Sequence, residues 1–125
     1  MPSILVIDDD QQVCGVLREA FEVAGYHVNI AYDGHKGIAQ YRTSPSDLVI
    51  LDILMPGKEG FETIRELRRD FPSIKIIAIS GGGDHAHVNL LDRAKQVGAN
   101  HTFTKPFKIS DFVEFAASLL TESST

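Results

Sequence analysis

Short apolar runs punctuate the chain at regular intervals: Ile4–Ile7, Tyr26–Ala31, Leu48–Leu51, Ile74–Ile79 and a thinner one at Thr102–Thr104. Runs this short and this continuously apolar suit strands covered on both faces, as in a parallel sheet. Between them, apolar positions recur three and four apart, the spacing that lines one side of a helix. Val13, Val16, Leu17, Ala20, Phe21 and Ala24 form one stripe, with Gly25 placed to cap it. Phe61, Ile64, Leu67 and Phe71 form another, stopped by Pro72. Val88, Leu91 and Ala94 precede Gly98, and Phe112, Val113, Ala116, Leu119 and Leu120 lie near the end of the chain. Gly34–Tyr41 has two glycines and few apolar residues, so its helical stripe is the thinnest.

The alternation is unbroken and reads as (βα)5. It predicts an α/β fold with a parallel sheet, right-handed crossovers and helices on both faces. Five strands are too few for a closed eightfold barrel, so the sheet is expected to be open and doubly wound. No linker, repeat or low-complexity segment interrupts it. One domain is expected over residues 1–121, with a frayed tail at 122–125.

Composition narrows the class. A chain of 125 residues, 43% hydrophobic and 23% charged, can build one core and is not disordered. No apolar run approaches the roughly 18–20 residues of a membrane span. The start, MPSILVIDDD, has no basic segment ahead of its apolar run, so no secretory signal is expected. Cys14 is the single cysteine and cannot form an internal disulfide, which suits a reducing, cytoplasmic setting. The net charge of −5, without a Lys/Arg block, argues against an autonomous nucleic-acid binder.

The stretch ILVIDDD carries the first chemical signal, because it puts Asp8, Asp9 and Asp10 at the mouth of a buried strand. Two carboxylates about 5 Å apart, at an effective dielectric near 20, repel by roughly 3 kcal/mol. A positive group is therefore expected close by. In open α/β sheets, sites form beyond the carboxyl ends of the strands. The third strand delivers Asp52 there, the fourth Ser80, and the fifth Lys105 followed by Pro106. Carboxylates at 8, 9 and 52 make a hard-oxygen site suited to Mg²⁺. Lys105 adds a point charge and Ser80 a hydrogen-bonding hydroxyl. A rigidly held Asp52 in such surroundings can act as a nucleophile toward phosphorus, because phosphoryl transfer needs mainly positioning and charge neutralisation.

Other features have plainer readings. Asp10 is placed to cap the first helix and is left out of the site. Gly81-Gly82-Gly83 lacks the spacing of either nucleotide-binding glycine motif. His85 and His87, two apart, do not share a helix face and read as surface residues. Cys14 reads as packing. Phe115 falls off the main stripe of the last helix, and exposure of Phe115 or Phe107 would mark a partner contact.

The pieces LVIDDD, DLVILDILMPGKEGFE, Ser80 and TKPF, in this order on these strand ends, resemble the receiver domain of two-component response regulators along essentially the whole chain. The resemblance implies a flavodoxin-like sheet of order 2-1-3-4-5. It implies that Asp52 takes a phosphoryl group from the phosphohistidine of a sensor histidine kinase or histidine phosphotransfer protein. Mg²⁺ would be held by Asp9, Asp52 and the Leu54 backbone carbonyl, with Asp8 acting through water. Ser80 and Lys105 would contact the phosphoryl oxygens, and the Lys105–Pro106 bond would be cis. Gly57 would form a tight turn after the phosphorylation loop. A downstream target, or a dimer, would use the face made by the fourth helix, fifth strand and fifth helix. The chain would catalyse only its own phosphorylation and dephosphorylation; with no output domain in this sequence, it reads either as a single-domain regulator or as a fragment of a longer one.

Three departures stand out. The family often has an aromatic switch residue three positions before the lysine; here Thr102 takes the switch position beside Ser80, and Phe103 has the opposite strand parity. The interval from Ser80 to Lys105 is lengthened by the glycine run, which predicts a mobile loop or a displaced fourth helix. Leu54 and Gly82 replace polar residues that influence water attack, which predicts slow autodephosphorylation. Two other functions fit parts of the pattern. Asp8-x-Asp10 after the first strand suits haloacid-dehalogenase-like phosphatases, although Gln12 does not fit that motif and Asp52 would be unexplained. A degenerate receiver that binds partners without phosphorylation would leave the intact acid set unexplained.

Overall fold

A computed structural model describes residues 2–53, 60–80 and 86–122, the side chains of 86–89, 91 and 122 excepted. The chain alternates β1 (Ser3–Ile7), α1 (Gln11–Val23), β2 (His27–Ala31), α2 (Gly34–Thr43), β3 (Leu48–Asp52), α3 (Gly60–Asp70), β4 (Ile76–Ser80), α4 (Ala86–Val97), β5 (His101–Thr104) and α5 (Ile109–Glu122). The strands form one sheet of order β2-β1-β3-β4-β5, and all pairings are parallel. Both the doubly wound topology and the order implied by the resemblance are present.

Strand parity splits the core in two. Leu5, Ile7, Val49, Leu51, Ile76 and Ala78 pack with residues of α2, α3 and α4. Their neighbours Ile4, Val6, Leu48, Ile50, Ile77 and Ile79 pack with α1 and α5. Successive side chains in a strand point to opposite faces, so a strand buried on both must be apolar throughout. This is why the apolar runs are continuous.

The weakly patterned segment after β2 does fold as α2. Asp33 caps it, its Oδ1 accepting the Lys36 N–H at 2.8 Å, and Ile38 and Tyr41 supply a buried face. Asp10 caps α1 in the same way, accepting from Gln12 (2.9 Å) and Val13 (3.2 Å). Past the end of α1, Gly25 and Tyr26 donate to the carbonyls of Glu22 and Phe21, the two bonds of a Schellman cap. The α1 stripe differs from the expectation. Its fully buried residues are Cys14, Leu17 and Phe21, whereas Val16 is 49% exposed. The stripe is wider than the sheet can cover. At β4, Ile74 is buried but precedes the strand, because its N–H closes a turn onto the Phe71 carbonyl. No helix of the described residues is long and apolar enough to cross a membrane.

Candidate functional site

Ile7 of β1 pairs with Leu51 of β3, so the next residues, Asp8 and Asp52, reach the same level at the carboxyl edge of the sheet. Asp8 continues the row Ile4, Val6, and Asp52 the row Leu48, Ile50, so both fall on the α1–α5 side. Lys105, one residue past β5, continues the row His101, Phe103 toward the same side. Its Nζ lies 3.4 Å from Asp8 Oδ2 and 3.3 Å from Asp52 Oδ2. The positive group demanded by the acids is therefore present, and it bridges them.

Asp8 is completely buried and Asp52 is 6% exposed. Local bonds hold Asp8 in place. Its N–H donates to the Ala31 carbonyl (3.1 Å), and its Oδ1 accepts the Asp10 N–H (2.9 Å). Its carbonyl oxygen accepts the Cys14 thiol (3.3 Å). Cys14 thus does more than fill space: it fixes the backbone of an acid. Burial pushes the thiol up to about 12, so it remains a protonated donor.

Burial also pushes the Asp8 carboxyl up to about 6; Asp52 adds to the shift, while the Asp10 N–H and Lys105 oppose it. For Lys105, burial alone would favour the neutral amine. The charges of Asp52 and Asp8 outweigh burial and raise its pKa above the ordinary value.

Asp9 is exposed on the solvent side of this pair. One carboxylate oxygen from each of Asp8, Asp9 and Asp52 lies within 4.8 Å of the others. Three hard oxygens in that space fit a small divalent cation such as Mg²⁺. A buried acid whose charged form is disfavoured by burial is the kind of group such a charge would relieve.

Ser80, the last residue of β4, is fully buried and continues the row Ile76, Ala78 on the opposite side of the sheet. Its carbonyl accepts the Lys105 N–H at 2.8 Å, tying the two strand ends together. Thr102 pairs with Ala78 and is half-buried on the α4 side; Phe103 pairs with Ile79 on the α5 side. The parity argument from sequence therefore holds. Phe103 packs edge-on against Phe107, Phe112 and Phe115. Phe107 stacks on Phe112 with centroids 4.6 Å apart. Both Phe107 and Phe115 are half-buried in this cluster, so neither is the exposed ring that would mark a partner contact. The Lys105–Pro106 bond is cis. Leu54, Gly57, Gly81–Gly83 and His85 lie outside the described residues, as does the side chain of His87.

The sequence reading missed a feature beside the site. A cavity of about 310 Å³ opens next to Lys105, walled by Val13, Val16, Leu17 and Phe107. An apolar groove of about 590 Å³ continues along α1 and α5, past Val16, Ala20, Val23 and Val113, with Glu19 and Glu114 also lining it. The signal was available in the surplus width of the α1 stripe.

Comparison with known proteins gives a single family. A model of the response regulator receiver domain matches residues 4–117. The chain is 32% identical over 125 residues to the transcriptional regulatory protein CpxR of Klebsiella pneumoniae, covering 98% of this chain and 51% of that protein. It is 33% identical over 124 residues to the DNA-binding dual master transcriptional regulator RpaA of Synechocystis, covering 96% and 49%. The chain thus spans about half the length of these curated relatives. Among solved structures, a CheY-like response regulator receiver domain protein from Methanospirillum hungatei superposes with a TM-score of 0.89 at 26% identity, over 99% of this chain and 97% of that one. The receiver domain of NtrX from Brucella abortus gives 0.87 at 26% identity, over 94% and 98%.

Proposed function

Because the chain belongs to the response regulator receiver domain family, we propose that it is a phosphorylation-switched signalling module whose phosphoacceptor is Asp52. The observation that carries this reading is the Lys105 ammonium held 3.3–3.4 Å from two buried carboxylates that come from different strands. In the reaction, an Asp52 oxygen attacks phosphorus, a P–O bond forms, and the P–N bond to the donor's imidazole breaks. The imidazole leaves with the electron pair and a proton from solvent. Lys105, already against Asp52, follows the new negative charge onto a phosphoryl oxygen; the Ser80 hydroxyl, which starts on the other side of the sheet, turns inward with the end of β4 to donate to another. Asp9, Asp52 and the Leu54 carbonyl would hold Mg²⁺, with Asp8 acting mostly through water, and the ion would supply charge neutralisation for the transferring group.

The donor is a histidine kinase or histidine phosphotransfer protein. Its phosphohistidine-bearing surface lies over the cavity beside Lys105 and along the α1–α5 groove. That groove offers exposed apolar residues with the acids Glu19 and Glu114 alongside, so a helical surface with apolar and basic positions complements it. The output is a changed protein contact on the α4–β5–α5 face, made within the cytoplasm. The receiver unit occupies 1–121, and it turns over no other substrate.

Intact mass spectrometry after incubation with Mg²⁺ and acetyl phosphate tests the reading. One added phosphoryl group in the wild type and none in Asp52→Ala is the expected result. A gain that survives Asp52→Ala, or that needs Asp8 as nucleophile, overturns it. The same sample tests lifetime. Leu54 and Gly82 offer no side-chain group to orient water, so the adduct should persist for many minutes; decay within seconds would count against that.

A further inference from the structure

The cavity beside Lys105 is joined to Asp52 by a single side chain. Lys105 lines the cavity, and its Nζ lies 3.3 Å from Asp52 Oδ2. The space lies between the first turns of α1 and the segment from Lys105 to Ile109. Val13, Val16, Leu17, Phe107 and Ile109 supply an apolar wall. That wall is firm. Leu17 is fully buried, and Phe107 stacks on Phe112 and meets Phe103 edge-on at 5.9 Å. Asp10 also lines the cavity, but its Oδ1 already accepts the N–H groups of Gln12 (2.9 Å) and Val13 (3.2 Å) at the positive end of α1. Lys105 is the lining group that can meet an anion.

Phosphoryl transfer by itself has no use for hydrocarbon walls, since it draws on charge and positioning. The cavity therefore calls for a ligand that is anionic at one end and apolar at the other. At about 310 Å³ it stands at the small end of ligand cavities, roughly 300–1,000 Å³, which suits a short chain. Its place fits a group bonded to the phosphorus. Asp52 is 6% exposed, so a donor reaches it from the solvent side, and a leaving group in line with the attacking oxygen points back toward that side. Lys105, against Asp52, and Asp10, two residues past Asp8, both sit on this edge and both line the cavity.

We propose that the cavity is an acyl subsite: the chain takes phosphoryl groups from small acyl phosphates and favours those with a short apolar chain over acetyl phosphate. The proposal rests on Asp52 as phosphoacceptor. An Asp52 carboxylate oxygen attacks phosphorus and forms a P–O bond. The P–O bond to the acyl carboxylate breaks, and the carboxylate leaves with the electron pair, so no proton is needed. Lys105 meets a phosphoryl oxygen while the chain lies against Val13, Phe107 and Ile109. Acetyl offers one methyl and leaves most of the wall uncovered; butyryl brings two more CH₂ groups to bury.

The test compares second-order rate constants for phosphoryl gain from acetyl phosphate and butyryl phosphate with Mg²⁺. Intact mass reads the gain and separates phosphoryl from butyryl addition. The two leaving carboxylates are almost equally basic, so the ratio reports the chain and not the chemistry. Butyryl phosphate should be about tenfold the faster in the wild type, each buried CH₂ being worth about fourfold at most. Val13→Phe, which fills the cavity, should bring the ratio to about one. Ile109→Phe is a second filling variant should Val13→Phe fold poorly. Each ratio is taken within one protein, so a general loss of activity cancels. A ratio near one in the wild type, or a tenfold ratio kept in both filled variants, overturns the acyl subsite alone. A wild type that gains no phosphoryl group from either donor, or an Asp52→Ala variant that gains it as the wild type does, overturns the phosphorylation reading and the subsite with it.

Discussion

At the scale of single residues, the site stores an electrostatic cost that binding can release. Asp8 has an ordinary pKa of 3.8 and is pushed by burial to about 6. Between those values the folded chain holds a proton that the unfolded chain has lost. Folding stability from this group therefore falls as pH rises from about 4 to about 6 and stays low above that, by up to about 3 kcal/mol. The expected outcome is that Asp8→Asn matches the wild type near pH 4 in a chelator-treated sample. It should become the more stable of the two as pH passes 6, in urea titrations at each pH. Mg²⁺ should close the gap by stabilising the wild type and not the variant. Lys105 acts in the opposite sense. Lys105→Ala leaves Asp8 and Asp52 facing each other without the bridging charge, and should lose about 1–3 kcal/mol at pH 8 without metal. A loss that vanishes at pH 4, where Asp8 is neutral, would identify the carboxylate pair as its source.

At the scale of elements, legibility followed burial. The strands could be read because both faces are covered, so every position had to be apolar. Asp10 and Gly25 could be read as caps because capping chemistry is local. α2 was faint in the sequence because its stability comes from Asp33 at one end and from Ile38 and Tyr41 packed in the core, not from a broad stripe. Val16 belongs to the apolar stripe and is nonetheless exposed, because periodicity reports which side of a helix is apolar, not how much of that side the sheet reaches. The hydrogen bonds from Arg68 to the Gly98 carbonyl and from the Ile76 N–H to Asn100 left no trace at all, since the partners are 30 and 24 residues apart and only the fold brings them together. Close approach is equally invisible in sequence. A Cβ at Gly60 would meet the Ile53 Cα at 2.4 Å, and backbone cannot swing aside as a side-chain tip can. Gly60→Ala should therefore force α3 off β3 and cost about 2–3 kcal/mol, read by urea unfolding. A cost under about 0.5 kcal/mol would show that α3 is not held by this contact.

At the scale of the whole molecule, the proposed reading divides chemistry from recognition. The acids and Lys105 sit at strand ends, where sheet geometry fixes them; the apolar groove proposed for the donor lies on α1 and α5, outside the sheet. On that reading small phosphodonors need only the first, whereas a protein donor needs both. Val16 separates the two, because it is 49% exposed, lines both the cavity and the groove, and is not one of the residues of the acid cluster. Val16→Glu adds a third acid beside Glu19 and Glu114 and removes apolar area where a partner helix would lie. The expected result is an unchanged rate of phosphoryl gain from acetyl phosphate and at least a tenfold slower gain from a phosphorylated histidine kinase domain, about 1.4 kcal/mol or more in transition-state binding. Equal slowing with both donors would mean that the substitution had disturbed Lys105 or Phe107 through the shared cavity wall. Equal rates with both would move the donor off this groove, leaving the strand-end chemistry intact and the partner to approach from the β3–α3 side.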